Sequence, residues 1–252
     1  GNTQPLVLDS QAEHLASVLR KVDAHLVVHT AGPFQGQSYA VPRACIQARC
    51  HYIDLADARA FVCGIQELDE QAKKADVLVV SGASSLPALS SAVVDELARE
   101  FSTIESIEHS ITSGARPPGI ATMQGVLAYA GKPFMRWHDG RWIRAYGWQD
   151  LTLQRYPAPL GLRALANCDV PDLELFPKRY SSVRSVSFKA GMAQLSHMFG
   201  IGFAAALVRI RLLKSVVPYV PRLHSIAAAR ASHGSKHSAM RVHVRGLDLG
   251  LQ

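Results

Sequence analysis

In the first hundred residues short apolar runs alternate with stretches of helical periodicity, and this alternation limits the fold more than any other feature. Pro5–Asp9 (PLVLD) reads as a strand. Ser10 follows as a helix N-cap, Glu13 completes a capping box, and Leu15, Val18, Leu19 and Val22 share one face of the next helix. Ala24–Thr30 is a second strand, whose continuous apolar centre suits a parallel strand covered on both faces. The turn AGPFQGQS and the helix YAVPRACIQARC lead to a third strand, His51–Leu55. The helix IQELDEQAKKA leads to a fourth, Val77–Ser81, and the loop GASSLP opens the helix ALSSAVVDELAREF. Connections this regular imply parallel strands with crossover helices, and right-handed crossovers wind them into an open, doubly wound sheet.

After Phe101 the pattern changes, and a domain boundary is expected at 101–104, dividing residues 1–101 from 102–252. TIESIEHSIT and RWIRAYGW alternate as half-exposed strands flanking His138–Asp139–Gly140, where Asp-Gly favours a type I′ hairpin. SVRSVSFKAG and AMRVHVRGLDL are further strands, separated by a long helical region, 192–229. An α+β domain with a large mixed sheet and helices on one side follows. The chain begins inside the alternating pattern and stops at the end of a strand, so both ends read as cuts.

Composition narrows the partners. The formal charge is +7, but the excess lies late, at Arg141 and Arg144, across 178–184 and across 209–245. No stretch interleaves basic and aromatic residues and no zinc-finger spacing occurs, so a nucleic-acid partner is not expected. Cys45, Cys50, Cys63 and Cys168 form no CxxC pair, which suits a reducing compartment. No signal peptide is visible, and the run Phe199–Val208 is about half the length a bilayer-spanning helix needs, so a cytoplasmic location is expected. The histidines lack metal-ligand spacing, so no metal site is expected. Leu195–Leu213, with Arg209, Arg211 and Lys214, reads as a homodimer interface or a surface for peripheral membrane contact. Trp137, Trp142 and Trp148 read as packing or interface residues of the hairpin.

In a doubly wound sheet, ligands bind beyond the carboxyl ends of the strands. That rule selects Asp9, Thr30–Phe34, Asp54–Asp57 and Ser81–Ser85. Gly32 lets backbone approach a flat ligand, Pro33 stiffens the turn and Phe34 is placed to wall an aromatic ring; the same residues also make an ordinary strand-to-helix turn. Asp54 ends a buried strand and must either accept hydrogen bonds from a neighbouring loop or reach a substrate. Asp57 and Arg59 are close enough to pair locally. Ser84 and Ser85 precede Pro87 as a helix cap, at a helix N-terminus that suits an anionic substrate group. In TSGARPPG, Arg116 is either a clamp for carboxylate or phosphate or a solvated loop residue. No GxSxG elbow supports a serine nucleophile.

Several stretches resemble the saccharopine dehydrogenase-like oxidoreductases: VVHTAGPFQGQSYAVPRACIQARCHYIDLAD at 27–57, VVSGASSLPALSSAVVDEL at 79–97, ARPPGIATMQGVLAY at 115–129, NCDVPDLELFP at 167–177 and FKAG at 188–191. The resemblance implies a Rossmann-type NAD(P)-binding domain and a C-terminal domain with a mixed sheet like that of glyceraldehyde-phosphate dehydrogenase. It implies hydride transfer on a small carbonyl or imine substrate. It places Thr30, Ala31, Gly32, Pro33 and Phe34 in the cofactor-contacting turn, and Ser81 and Gly82 beneath the nicotinamide. Asp57, Ser84, Ser85 and Arg116 are the substrate-binding candidates, and Asp54 and Arg116 the catalytic ones. Two departures stand out. No G-x-G-x-x-G precedes residue 30, so the pyrophosphate grip and the residue choosing NAD or NADP are missing, and weak dinucleotide binding is expected of this chain. Pro87-Ala88-Leu89 stands where saccharopine-forming relatives often have Pro-Gly-Leu.

Overall fold

The computed structural model describes residues 3–9, 14–114, 118–229 and 237–248, in two compact units that divide at Ser84/Ser85. The first unit holds α1 (Leu15–Lys21), β1 (Leu26–His29), α2 (Ala40–Ala48), β2 (His51–Asp54), α3 (Arg59–Gly64), α4 (Asp69–Ala75) and β3 (Val79–Val80). The strands form a parallel sheet in the order β1-β2-β3, as the alternation requires. Leu15, Leu19, Val41, Cys45 and Tyr52 fuse α1 and α2 to one sheet face, and Ile46, Leu68, Ala72 and Val77 continue that layer. α2 and α4 end on left-handed residues, Arg49 (φ 56°) and Asp76 (φ 57°), so each helix turns back into the next strand within a few residues.

Two expectations change here. The other sheet face is uncovered within the described residues: Leu26 (53%), Val28 (57%), Leu78 (68%) and Val80 (43%) are exposed, although apolar parallel strands are normally covered on both sides. Residues 3–9 form no strand and are exposed, because no described strand lies beside Pro5–Asp9 to take up its backbone groups. The Ser10–Glu13 capping box lies outside the described residues.

The second unit opens with α5 (Ser90–Ala98) and continues through β4 (Phe101–Ser113), α6 (Ile120–Leu127), β5 (Pro133–His138), β6 (Arg141–Tyr146), β7 (Thr152–Tyr156), β8 (Gly161–Asn167), α7 (Asp172–Arg179), β9 (Ser185–Met192), α8 (Leu195–Arg209), α9 (Val220–Ala229) and β10 (Ala239–Asp248). Its main sheet runs β10-β4-β9-β8-β7, with β4–β9 parallel and the other pairs antiparallel, so it is the mixed sheet expected. Helices cover one face: Ile104, Ile107, Val186 and Phe188 pack with Val94 of α5, Phe176 of α7 and Met198 and Ile201 of α8. The strand pattern changes at Phe101 as read, yet α5 packs with the second unit because Val94 is fully enclosed in that core.

The hairpin turn has positive φ at both central residues, Asp139 (49°) and Gly140 (74°), as a type I′ turn needs. Its partner strand is β5, not β4: Trp137 pairs with Trp142 across β5–β6, ring centroids 5.2 Å apart, while β4 is held between β10 and β9. Trp148 lies beyond β6, buried, with its indole N–H donating to Val126 O at 2.7 Å. β7 and β8 escape the period-two reading because β7 is five residues long and β8 is buried from Arg163 to Asn167, which removes the alternation. The long helical region divides into α8 and α9.

The main sheet is curled. β7 and β4 are three strand steps apart, about 14 Å in a flat sheet, yet Tyr156 Oη lies 2.7 Å from Ser110 Oγ. Arg241 of β10 likewise reaches Gln154 of β7, Nη1 to Oε1 2.6 Å, across four steps. The polar face is therefore the concave one.

Close packing of α8 depends on Gly131. Its φ is +69°, and a Cβ there would lie 2.1 Å from Ala205 O and 2.9 Å from Val208 Cβ. Gly131→Ala is expected to destabilise the second unit by about 2–4 kcal/mol, seen as a lower urea midpoint; an unchanged midpoint would mean that α8 does not pack this closely.

Candidate functional site

The carboxyl ends of β1, β2 and β3 deliver three loops, Thr30–Phe34, Asp54–Asp57 and Ser81–Ser84, and Asp54 ties two of them together. Asp54 is wholly buried. Its Oδ1 accepts the N–H of Ala56 (2.9 Å), the N–H of Gly82 (2.8 Å) and the hydroxyl of Ser81 (3.0 Å). Its carbonyl accepts the N–H of Ala83 at 2.8 Å. Of the two roles open to Asp54 from the sequence, hydrogen bonding to a neighbouring loop is the one these contacts display. The carboxylate sets the height of the Ser81–Gly82 loop, where Gly82 takes a left-handed φ of 80°.

The first loop is joined to the second through His29 O, which accepts the Leu55 N–H at 3.3 Å. Beneath it, His29 Nδ1 lies 2.9 Å from the Tyr52 hydroxyl. Burial holds the His29 imidazole below its ordinary value, against the opposing pull of Asp54, and pushes the Tyr52 phenol up. Phe34 is 5% exposed and packs edge-on to His29 (5.0 Å) and against Phe61 (5.3 Å), so its ring supports the turn from below. The turn is braced by Gln37, whose Nε2 donates to Ala31 O (2.8 Å) and Pro33 O (2.9 Å). Thr30 and Ala31 are exposed, and Gly32 and Pro33 are partly so. This braced backbone suits the edge of a planar ligand.

Asp57 lies half-buried beside that turn and accepts a 3.3 Å bond from Gln35 Nε2. Burial raises its carboxyl above the usual carboxylate range, with the Gln35 bond opposing. Ser84 closes the first unit and Ser85 opens the second. Pro87 stands in the turn leading to α5, as the sequence suggests, but the cap residue of α5 makes no side-chain cap bond. Arg116 lies outside the described residues.

A second polar cluster is not apparent from the sequence. His109 lies within β4 at 4% exposure, against Phe176 and Phe188. Its Nε2 is 3.4 Å from Asp172 Oδ1, and the Ser90 hydroxyl donates to the same oxygen. The three residues join β4, α5 and α7 inside the core. The spacing Ile107-Glu108-His109 carries the signal, since period two puts His109 on the face of Ile107.

Among the described residues no group of three or more His, Cys, Asp or Glu could hold a metal ion, and no helix is long and apolar enough to cross a membrane. None of the four cysteines is in a disulfide, and burial pushes the Cys45 thiol up to about 12.

Three parallel strands with their end loops tied by a buried aspartate coincide with a family match: residues 2–80 fit the saccharopine dehydrogenase NADP binding domain. Residues 2–80 belong to that domain family. No curated protein matches the chain. Among solved structures, apo saccharopine dehydrogenase (L-Glu forming) from Saccharomyces cerevisiae is 17% identical over 73% of this chain and 43% of its own, with a TM-score of 0.53, a likeness of fold. Amine dehydrogenase from Mycobacterium smegmatis matches at 12% identity over 72% of this chain and 62% of its own (TM-score 0.42). Biliverdin reductase from Synechocystis, solved with biliverdin and NADP+, matches at 11% identity over 73% of this chain and 57% of its own (TM-score 0.34). The chain thus spans less than two thirds of the length of these relatives.

Within this domain Asp54 carries the loop geometry. Asp54→Ala leaves the Ala56 and Gly82 amides and the Ser81 hydroxyl without their acceptor, and is expected to destabilise the first unit by about 2–4 kcal/mol. The readout is a lower melting temperature together with faster amide exchange at Gly82; an unchanged Gly82 exchange rate would show that Asp54 does not hold the loop.

Proposed function

We propose that this chain supplies the nicotinamide-facing part of an NAD(P) site in an oxidoreductase that moves hydride between the nicotinamide and a small carbonyl or imine substrate. The membership of residues 2–80 in an NADP-binding domain family is the observation that carries this reading. The bound dinucleotide would supply or accept the hydride, and the protein would supply orientation and electrostatics. Thr30, Ala31, Gly32 and Pro33 offer a braced backbone edge, with Phe34 as its support, and Ser81 and Gly82 offer a loop whose height Asp54 sets. Asp57, Ser84, Ser85 and Arg116 are assigned to the polar groups of the substrate. Asp57, with its raised carboxyl, is the residue among these suited to holding a proton nearer neutrality.

Because no G-x-G-x-x-G lies among these residues, the grip on the pyrophosphate is missing and affinity is expected to be weak. Reduced nicotinamide mononucleotide should therefore bind this chain about as well as NADPH, with dissociation constants of roughly 1 mM or weaker. Backbone NMR with either ligand should shift the amides of Ala31, Gly32, Ser81 and Gly82. Tight NADPH binding, or shifts confined elsewhere, would count against this assignment.

A second reading, self-association, is favoured by α8. Leu195, Phe199 and Phe203 follow at four-residue spacing and are 40%, 58% and 68% exposed, forming an apolar stripe. A second copy of the chain is the proposed partner. Light scattering should show a dimer that becomes monomeric in Phe199→Ser/Phe203→Ser; a monomeric parent protein would remove this reading, and binding to anionic vesicles instead would assign the stripe to a lipid surface.

A further inference from the structure

Apolar residues of the second unit's core are left partly uncovered at one place. Ile111 of β4, Ala190 and Met192 of β9 and Val126 of α6 all pack against the buried cluster, yet each stays partly exposed. Register pairs Ile111 with Ala190 and Ser113 with Met192, so these strand residues stand at the carboxyl end of the parallel β4–β9 pair. Between that end and α6 lies a cavity of about 210 Å³, lined by Ile111, Met123, Val126, Trp148, Ala190 and Met192 among others. A closely packed core has few spaces of this size, because the walls of a void forfeit their dispersion contacts.

The chemistry of the wall selects the guest. Among the described residues no charged side chain lines the cavity, and its polar side chains are the hydroxyls of Ser113 and Thr122. Trp148 is buried and spends its indole N–H on Val126 O at 2.7 Å, which leaves its ring carbons as wall. A water molecule settles in a cavity only where about two to four polar groups meet it. A charged ligand would shed its hydration there with no ion to replace it. An uncharged hydrocarbon group sheds nothing it needs and takes apolar surface out of water. Since an apolar cavity of about 150 Å³ holds benzene, this larger one has room for a ring with a short substituent.

We propose that the cavity between α6 and the carboxyl end of β4–β9 is a binding site for a small uncharged apolar ligand, an aryl or branched alkyl group about the size of toluene. Ile111, Val126, Ala190 and Met192 make its walls and Trp148 closes one side. The site belongs to the second unit alone and does not depend on the cofactor reading of the first.

Titration of the whole chain with toluene, followed by methyl and indole NMR, tests it. The resonances of Ile111, Met123, Val126, Met192 and Trp148 should shift together and saturate, with a dissociation constant of roughly 1 mM or tighter. Benzoate, which has the same ring but carries a charge, should bind at least about tenfold more weakly at those resonances. Ala190→Leu fills the cavity from β9 and Val126→Phe fills it from α6. Each should keep the fold and weaken toluene binding about tenfold or more. The proposal is overturned if toluene does not saturate these resonances up to its solubility limit, which would mean that the chain itself or a second copy closes the space. Shifts confined to other residues, benzoate binding as tightly as toluene, or a folded filled variant that binds toluene undiminished would also overturn it. Should neither variant fold, the toluene and benzoate titrations of the parent protein decide the matter.

Discussion

A carboxylate removed from water must be met by donors, and in each unit one such group decides where the connecting segments lie. In the first unit Asp54 collects two amides and a hydroxyl at the end of β2, so the loop after β3 is held at a fixed distance from the loop after β2. In the second unit Asp172 collects Ser90 and faces His109, which draws α5 and α7 onto β4. Neither carboxylate reaches the surface. Each sets the position of backbone.

The two sheets use their faces differently. The parallel sheet has one face covered by α1, α2 and α4 and leaves Leu26, Val28, Leu78 and Val80 open on the other. The mixed sheet puts its apolar face under helices and folds its polar face inward, with Tyr156 meeting Ser110 and Arg241 meeting Gln154 across the curl. Enclosing polar groups inside a curve rather than spreading them on a flat surface is what leaves Arg163 buried. The same side chain on a flat sheet would be hydrated.

Much of the first unit was legible because its signals are local. β1, β2 and the helices between them follow from apolar runs and helical spacing, and the turn 30–34 follows from its place after β1. Pro5–Asp9 has the composition of a strand, but a strand also needs a neighbour, and composition cannot say whether one is present. The hairpin turn was legible from Asp139-Gly140, but its partner strand was not, since β4 and β5 are both apolar and alternating enough to compete. β8 was missed because a strand buried along most of its length loses the period of two that reveals it.

The amino-acid order was enough to specify the parallel strands and helices of the first unit, the mixed sheet that follows and the turn chemistry at Asp139-Gly140, because periodicity and turn residues act over a few neighbours. Which donors satisfy Asp54, that His109 meets Asp172, that α5 packs with the second sheet and that Arg163 is enclosed were settled only in three dimensions. Those pairings join residues distant in the chain, and the curl that buries Arg163 comes from five strands acting together, so no stretch of sequence contains it.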